Sequence, residues 1–146
     1  MTRQLSGAWV WDNVTFADVP EDRQSDAKDV EAAIRRYLTA VKACDEVALR
    51  ATFQPSANIS HYYVKGDAVR VNDVDGFIKV IRSLHEKYDN AEEIAKDIQV
   101  RFVGPLASVR VPFGFVMGPN TLEGEDIFNL ARSKGEWIII HKSYYL

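Results

Sequence analysis

The sequence predicts an α+β domain with an antiparallel sheet, and three observations lead to this fold class. The chain has 146 residues, of which 47% are hydrophobic and 27% charged, a size and composition typical of one globular domain. Apolar residues repeat at helical spacing mainly in the first two-thirds of the chain. Long runs of β-forming residues fill the last third. Helices grouped early and strands grouped late are typical of an α+β architecture.

Two helices are predicted before the first strand. The first begins at Asp26, and Ser25 or Asp26 itself can cap it. Its apolar stripe consists of Val30, Ile34, Tyr37, Leu38 and Val41. A shorter helix from Glu46 to Phe53 starts after Asp45 and ends before Pro55, because a helix cannot continue through that proline.

A β-hairpin and a third helix are predicted next. The strand 57–64 is rich in β-forming residues, and the turn 65–68 leads into a second strand, 69–71. Asn72 or Asp73 can cap a helix from Val74 to about Tyr88, in which apolar residues again repeat at helical spacing. The hairpin therefore stands between the first pair of helices and the third helix.

Four strands are predicted in the remaining third of the chain. They are Asp97 to Val103, Ala107 to Met117, Leu122 to Leu130 and Trp137 to Tyr145, and glycine-containing turns separate them. Residues 1–25 show no helical period and are predicted to form an N-terminal arm. Residues 26–146 are then a single domain.

Composition and motifs argue against several classes of function. The net charge is −3 without a block of Lys or Arg, which disfavours nucleic-acid and anionic-membrane partners. Cys44 is the only cysteine and no long apolar run occurs, so a cytoplasmic protein without disulfides is expected. Dinucleotide-binding, phosphate-loop, zinc-protease and nucleophile-elbow motifs are all absent from the sequence. The three histidines fall on separate predicted elements, so neither a metal nor a cofactor is expected.

Three polar side chains lie where the periodicity predicts the core. His61 shares a strand face with Ile59, Asp126 shares one with Phe128, and Tyr37 lies inside the stripe of the first helix. Burying a polar group costs free energy unless it is paired. His61 could be a core histidine bound to a carbonyl, Asp126 a structural ion pair, and Tyr37 a packing residue. If the sheet curls around the first helix, all three surround one cavity, which is typical of a ligand pocket.

Several segments resemble the nuclear-transport-factor-2-like superfamily, specifically its lumazine-binding-like (SnoaL-like) branch, over about residues 26–146. The segments are Ile34-Arg35-Arg36-Tyr37-Leu38 followed by Cys44-Asp45, Phe53-Gln54-Pro55-Ser56-Ala57, Asp126-Ile127-Phe128-Asn129-Leu130, Gly135-Glu136-Trp137-Ile138-Ile139 and Lys142-Ser143-Tyr144-Tyr145. The order of predicted elements also agrees. The tail after Asp126 is the most specific part of the resemblance.

This resemblance implies a cone-shaped fold. A strongly curved, mixed but mostly antiparallel sheet would wrap around the helices and enclose an apolar pocket, and its outer face would often form a homodimer. Against ketosteroid isomerase, a remote relative in the superfamily, Tyr37 and Asp126 fall at oxyanion-hole positions and His61 at the position of the aspartate base. The resemblance turns Lys142 and Tyr144 toward the pocket. The expected substrate-binding residues are Tyr63, Phe113, Phe128, Lys142, Tyr144 and Trp11.

The favoured hypothesis is a cofactor-independent acid–base enzyme, an isomerase, dehydratase or cyclase that acts on a small apolar carbonyl or enol compound. His61 is the expected base, and Tyr37 and a protonated Asp126 are the expected donors to the substrate oxygen. If Asp126 instead pairs with Lys142, it is a carboxylate that cannot donate, and Lys142 is structural or polarises the carbonyl. Two alternatives remain open. One is a non-catalytic protein that binds a small apolar or heterocyclic molecule, and the other is an interaction module that acts through the sheet face.

Overall fold

The computed structural model describes residues 13–16 and 18–146 with their side chains, and the backbone alone of residues 2–5 and 8–11. The helices are α1 (Gln24–Ala43), α2 (Glu46–Ala51) and α3 (Val74–Lys87), with a 3-10 turn at Glu21–Arg23. The strands are β1 (Thr2–Leu5), β2 (Ala8–Trp11), β3 (Asn13–Phe16), β4 (Phe53–Tyr63), β5 (Ala68–Asn72), β6 (Ala91–Ala95), β7 (Asp97–Val103), β8 (Leu106–Met117), β9 (Asn120–Ser133) and β10 (Glu136–Tyr145). The α+β fold class is thereby confirmed.

The helices follow the apolar periodicity of the sequence. The predicted stripe of α1 is buried at Val30, Ile34, Tyr37 and Val41, and the helix ends at Cys44, whose φ of 50° is left-handed. Asp45 then caps α2 and accepts a hydrogen bond from the Ala48 amide at 3.0 Å. Asp73 caps α3 in the same way through the Gly76 amide at 2.7 Å.

The second helix is shorter than predicted. It ends at Ala51, and both Phe53 and Pro55 belong to strand β4. β4 pairs with β10 at Phe53 and again from Asn58 onward, and residues 54–57 have no partner in that register. Pro55 therefore lies in a strand where its missing N–H removes no ladder bond. Burial of Phe53 in the core outweighs the helical tendency of the segment.

One large curved sheet that does not close carries most of the strands. Its order is β3-β7-β8-β9-β10-β4-β5, and β6 pairs with β8 beside this path. All pairs in this sheet are antiparallel except β3 with β7 and β10 with β4. Residues 13–16 of the predicted arm thus form an edge strand of the main sheet, and β1 pairs with β2 separately. The sheet wraps around α1 and α3, as the resemblance implied.

Strand β6 has no counterpart in the sequence-based prediction. It carries Ala91, Glu92, Glu93, Ile94 and Ala95 and pairs antiparallel with the second half of β8. Glu and Ala have low β propensity, so the segment lacks a strand signal of its own. Its conformation comes from the long neighbouring strand.

A β-bulge in β10 decides which of its residues face the core. The register shifts between Ile139 and His141 on both neighbouring strands. Trp137 and Ile139 are buried before the bulge, and Lys142 is buried after it. Simple alternation groups Lys142 with Ile138 and Ile140, and it does not hold along this strand. The extra residue at the bulge moves the side chains that follow it to the opposite face of the sheet.

None of the helices in the described part of the chain is both long and apolar enough to cross a membrane.

Candidate functional site

A cavity of about 230 Å³ lies between the inner face of the sheet and helices α1 and α3. Its apolar lining consists of Phe77, Val80, Ile81, Leu84, Phe113, Phe115, Met117, Leu122 and Leu146. Its polar lining consists of Tyr37, His61, Tyr63, Arg70, Asn72, Glu93, Lys142 and Tyr144. Apolar walls with a few convergent polar groups are typical of a small-molecule site.

A larger depression of about 960 Å³ lies on the outside of α1 and α2, beside the turn that joins β9 to β10. It is open to solvent, and much of its lining is short side chains such as Ala32, Ala40 and Ala48. The three buried charged residues of the described chain, Glu93, Asp126 and Lys142, are not part of this lining. The enclosed cavity is therefore the candidate site.

Four buried polar side chains meet at the inner end of the cavity. The Lys142 ammonium donates a hydrogen bond to the Tyr37 hydroxyl oxygen at 2.7 Å, and that hydroxyl donates to Glu93 Oε1 at 3.1 Å. Lys142 Nζ also lies 3.5 Å from Asp126 Oδ1. The exposed fraction is 6% for Glu93, 2% for Lys142 and zero for Asp126. Burial at this level requires pairing, and the cluster provides it.

The cluster favours the protonated form of Asp126. Burial raises the pKa of Asp126 well above its usual range, and the neighbouring Glu93 carboxylate raises it further, while Lys142 opposes the shift. Glu93 Oε2 and both Asp126 oxygens have no nitrogen or hydroxyl donor in the described residues. A proton held by Asp126 can be donated to Glu93, and such a hydrogen bond pairs two of these three oxygens.

Lys142 stays charged. Burial lowers its pKa, but the negative charge carried by the Asp126–Glu93 carboxyl pair outweighs that effect, so the pKa is raised overall. The ammonium also lies 4.2 Å from the ring centre of Tyr144 and 4.6 Å from that of Phe77, which stabilises a cation. A charged lysine is an electrostatic partner for an oxygen atom and a poor nucleophile.

His61 lies half-buried on the adjoining part of the wall. Its ring stacks on Tyr144, with ring centres 4.4 Å apart and 5° between the planes. Its Nε2 is buried and has no hydrogen-bond partner in the described residues. Burial, followed by the charges of Lys142 and Arg70, lowers the pKa of His61. The imidazole is therefore neutral at pH 7 and has a nitrogen available to a bound molecule.

The strand register places these groups in one row. Asp126 on β9 pairs with Tyr144 on β10, Tyr144 pairs with His61 on β4, and His61 pairs with Arg70 on β5. Paired residues point to the same face of a sheet, so all four side chains point inward. The row runs from the closed end of the site at Asp126 to its exposed rim at Arg70.

The structure gathers most of the residues that the sequence predicts for the site. Those on the cavity lining are Tyr37, His61, Tyr63, Phe113, Lys142 and Tyr144. Asp126 and Phe128 lie behind this lining: Asp126 contacts Lys142, and the Phe128 ring packs edge-to-face on Tyr37 at 5.3 Å. The side chain of Trp11 lies outside the described residues.

Two features of the arrangement differ from the expected roles. The Tyr37 proton is donated to Glu93 and its oxygen accepts from Lys142, so the hydroxyl is engaged within the cluster. Asp126 has the predicted raised pKa, yet it contacts Lys142, which was the stated alternative. Lys142 is consequently the side chain of this cluster that can present a free N–H to the cavity, because an ammonium has three donors.

Sequence reasoning did not identify Glu93 and Arg70 as site residues. Glu93 lies on the unpredicted strand β6. The adjacent Glu92 breaks any alternation of polar and apolar residues that would have indicated that Glu93 is buried. Arg70 looks like a surface residue between the exposed Val69 and Val71, and it is exposed as well, yet its side chain lines the cavity. Alternation could have found Arg70, since it shares the parity of Asn72 and pairs with His61. Among the described residues, no three His, Cys, Asp or Glu side chains converge in a way that would hold a metal ion.

Comparison with known families supports this interpretation of the fold. A sequence model of the family described as "Putative lumazine-binding" matches residues 25–145. The chain belongs to this family. The branch named from the tail motifs is thereby confirmed. No curated protein matches the chain significantly.

Solved structures of the same fold are similar to this lumazine-binding-like domain. An NTF2-like protein of unknown function from Shewanella baltica OS155 is 21% identical, covers 87% of this chain and 96% of its own, and has a TM-score of 0.67. A scytalone dehydratase candidate from Novosphingobium aromaticivorans is 14% identical, covers 82% and 83%, and has a TM-score of 0.69. An NTF2-like dehydratase candidate from Streptomyces avermitilis is 14% identical, covers 83% and 95%, and has a TM-score of 0.66. At these identities the similarity establishes the fold alone.

Proposed function

We propose that the protein is a cofactor-independent acid–base enzyme of the isomerase, dehydratase or cyclase type, acting on a small, largely apolar carbonyl or enol compound. One observation carries this proposal. A neutral imidazole with an unpartnered Nε2 and a charged lysine line the same cavity, at the positions of His61 and Lys142. A base and a cation on one apolar wall are the two groups that enolisation requires.

The proposed step moves one proton. His61 Nε2, in the tautomer with its proton on Nδ1, takes a proton from the carbon next to the substrate carbonyl. The electron pair of that C–H bond forms a C=C bond, and the carbonyl π pair moves to the oxygen. Lys142 stabilises the resulting oxyanion by a hydrogen bond. Return of the proton to another carbon gives an isomer, and its transfer to a departing hydroxyl gives water and an unsaturated product.

Tyr37, Glu93 and Asp126 act as positioning residues in this scheme. Tyr37 fixes the lysine by accepting one of its protons, and Glu93 fixes the phenol. Asp126, which is not part of the cavity lining, contacts the same ammonium. The cluster leaves one donor of Lys142 for the substrate oxygen, and such preorganisation is the main electrostatic contribution to this type of catalysis.

Deuterium exchange tests the assignment of His61. Small cyclic ketones such as cyclohexanone and 2-tetralone are incubated with the protein in D₂O, and loss of the proton signal next to the carbonyl is followed by NMR. We expect exchange faster than in buffer, with His61→Ala reducing the protein-dependent rate about 100-fold while ketone affinity is retained. His141→Ala is the matched control, because His141 lies on the exposed side of β10. Equal exchange rates for His61→Ala and the unsubstituted protein contradict the proposal.

The alternative function is non-catalytic binding of a small apolar or heterocyclic molecule. The description of the matching family favours it, since that description names a ligand and no reaction. The cavity of about 230 Å³ admits a compound of one or two rings. Tight binding of such a compound without any protein-dependent deuterium exchange would favour this second function.

A homodimer through the outer sheet face and a cytoplasmic location complete the proposal. Ile127 on β9 is 51% exposed and Val71 on β5 is 62% exposed, and both lie on the outer face in one register row with Ser143 and Ser60. Apolar side chains on a long sheet face are suited to pairing with a second copy. Light scattering of the protein and of Ile127→Lys tests this: we expect a dimer that the substitution converts to a monomer, and a monomer in both samples contradicts it.

A further inference from the structure

The rim of the cavity carries a positive charge that the described chain does not neutralise. Arg70 lines the cavity, and within the described residues no carboxylate lies in ion-pair range of its guanidinium. Most other arginines of this part of the chain are paired, for example Arg50 with Asp75 and Arg82 with Glu46. An arginine left unpaired at a cavity, in a chain with 21 acidic residues, is available to a ligand.

Charge at the inner end does not cancel that of Arg70. Lys142, Glu93 and Asp126 contact one another directly or through Tyr37 at the inner end, whereas Arg70 lies two strands from Lys142 at the rim. His61 is neutral, and the cationic groups at both ends of the site contribute to lowering its pKa. Arg70 therefore places an unpaired positive charge at the rim of the cavity, and low-dielectric walls focus the field of such a charge.

The two cations are placed to hold opposite ends of one small molecule. Arg70 and Lys142 lie on the inner face of strands β5 and β10, with β4 between them. From the usual strand spacing and rise, their Cα atoms are about 12 Å apart. Both side chains are long and extend toward the same cavity. The cavity that both residues line has a volume of about 230 Å³, which admits a single ring with a polar group at each end.

We propose that the natural ligand of this cavity is a small organic anion, a ring compound whose carboxylate pairs with Arg70 while a carbonyl or hydroxyl oxygen at its other end contacts Lys142. This inference rests on the proposed function in taking Lys142 as the oxygen partner. It adds that the compound is charged, although most of the cavity wall is apolar. Asn72, on the same face of β5 as Arg70, provides an amide beside the carboxylate site.

A matched pair of probes tests the charge of the ligand. 4-Acetylbenzoate and 4-acetylbenzamide have the same shape and the same ketone, and only the first is an anion. Affinities are measured by isothermal titration calorimetry at 50 mM and 500 mM NaCl. We expect the carboxylate to bind about tenfold more tightly than the amide at low salt, and its advantage to shrink at high salt.

Two variants assign the preference to Arg70. Arg70→Gln should abolish the preference for the carboxylate, so that the two probes bind this variant with similar affinity. Arg101→Gln is the matched control, because Arg101 is exposed on β7 and absent from the cavity lining, and its loss changes the net charge equally. We expect this control to keep the tenfold preference.

Three outcomes overturn the proposal: equal affinity for the two probes, a preference that survives in Arg70→Gln, or no binding of either probe at 10 mM. None of these measurements depends on turnover. Failure of the acid–base function would leave the carboxylate preference intact, while failure of the anion proposal would leave deuterium exchange on neutral ketones intact. The two proposals are thus refuted by different results.

Discussion

The protonation of Asp126 can be tested by replacing its carboxyl with an amide. Asp126→Asn keeps the shape of the side chain and imitates the protonated acid. Its NH₂ can donate to Glu93, and its C=O can accept from Lys142. If Asp126 were ionised instead, the same substitution would remove half of a buried ion pair and would cost about 3–5 kcal/mol. The two charge states therefore predict different stabilities for one variant.

The expected pH dependence of the unfolding free energy follows from the raised pKa of Asp126 in the folded protein. Above about pH 4 the unfolded chain has released this proton while the folded protein keeps it, so the free energy of unfolding falls as the pH rises. The fall is about 1.4 kcal/mol per pH unit and continues until the folded carboxyl itself ionises. The amide variant has no such proton, and its curve lacks this contribution. The lowered pKa of His61 acts equally on both proteins and cancels in the difference.

Urea unfolding followed by circular dichroism at pH 5, 6 and 7 provides the measurement. We expect the difference in unfolding free energy to shift in favour of Asp126→Asn by about 1.4 kcal/mol for each pH unit from pH 5 up to the pH at which the folded carboxyl ionises. Asp89→Asn, which replaces an exposed carboxyl, is the control and should follow the unsubstituted curve. Parallel curves for Asp126→Asn and the unsubstituted protein, or a loss of about 3 kcal/mol in the variant at pH 5, would refute a protonated Asp126.

Three further predictions concern other positions. Tyr37→Phe removes the hydroxyl between two buried charges and should lower the unfolding free energy by about 1–3 kcal/mol in denaturant titrations, whereas no loss would mean that the hydrogen bonds contribute nothing. Gly124→Ala places a Cβ against the carbonyl oxygen of Tyr145 and should cost about 2 kcal/mol or more in thermal unfolding, while Gly114→Ala, whose Cβ meets only an ordinary contact at 3.5 Å, is the mild control; equal losses would contradict this. Since the pKa of His61 is lowered, the acidic limb of any exchange or turnover profile should fall below pH 6.5, and a limb above pH 6.5 would exclude His61 as the base.

Much of the candidate site could be predicted from polar residues on apolar faces. His61 and Tyr37 were found in this way because a polar residue inside a regular stripe requires a partner, and both line the cavity. Glu93 escaped this reasoning because its strand has no alternating pattern of its own. The hydrogen bonds of the Tyr37 hydroxyl could not be predicted in this way either. Its acceptor Glu93 and its donor Lys142 are 56 and 105 positions away along the chain.

The order of the three helices and of strands β4, β5 and β7 to β10, the apolar stripes and the caps at Asp45 and Asp73 could be predicted from the sequence alone, because they depend on neighbours within a few residues. Only the tertiary structure decided the bulge at Ile140, the parallel pairing of β4 with β10, and the raised pKa of Asp126. Each of these depends on groups that are distant in the chain. The charge of each buried group depends on the other groups that share its low-dielectric surroundings, and a local sequence pattern does not show which groups these are.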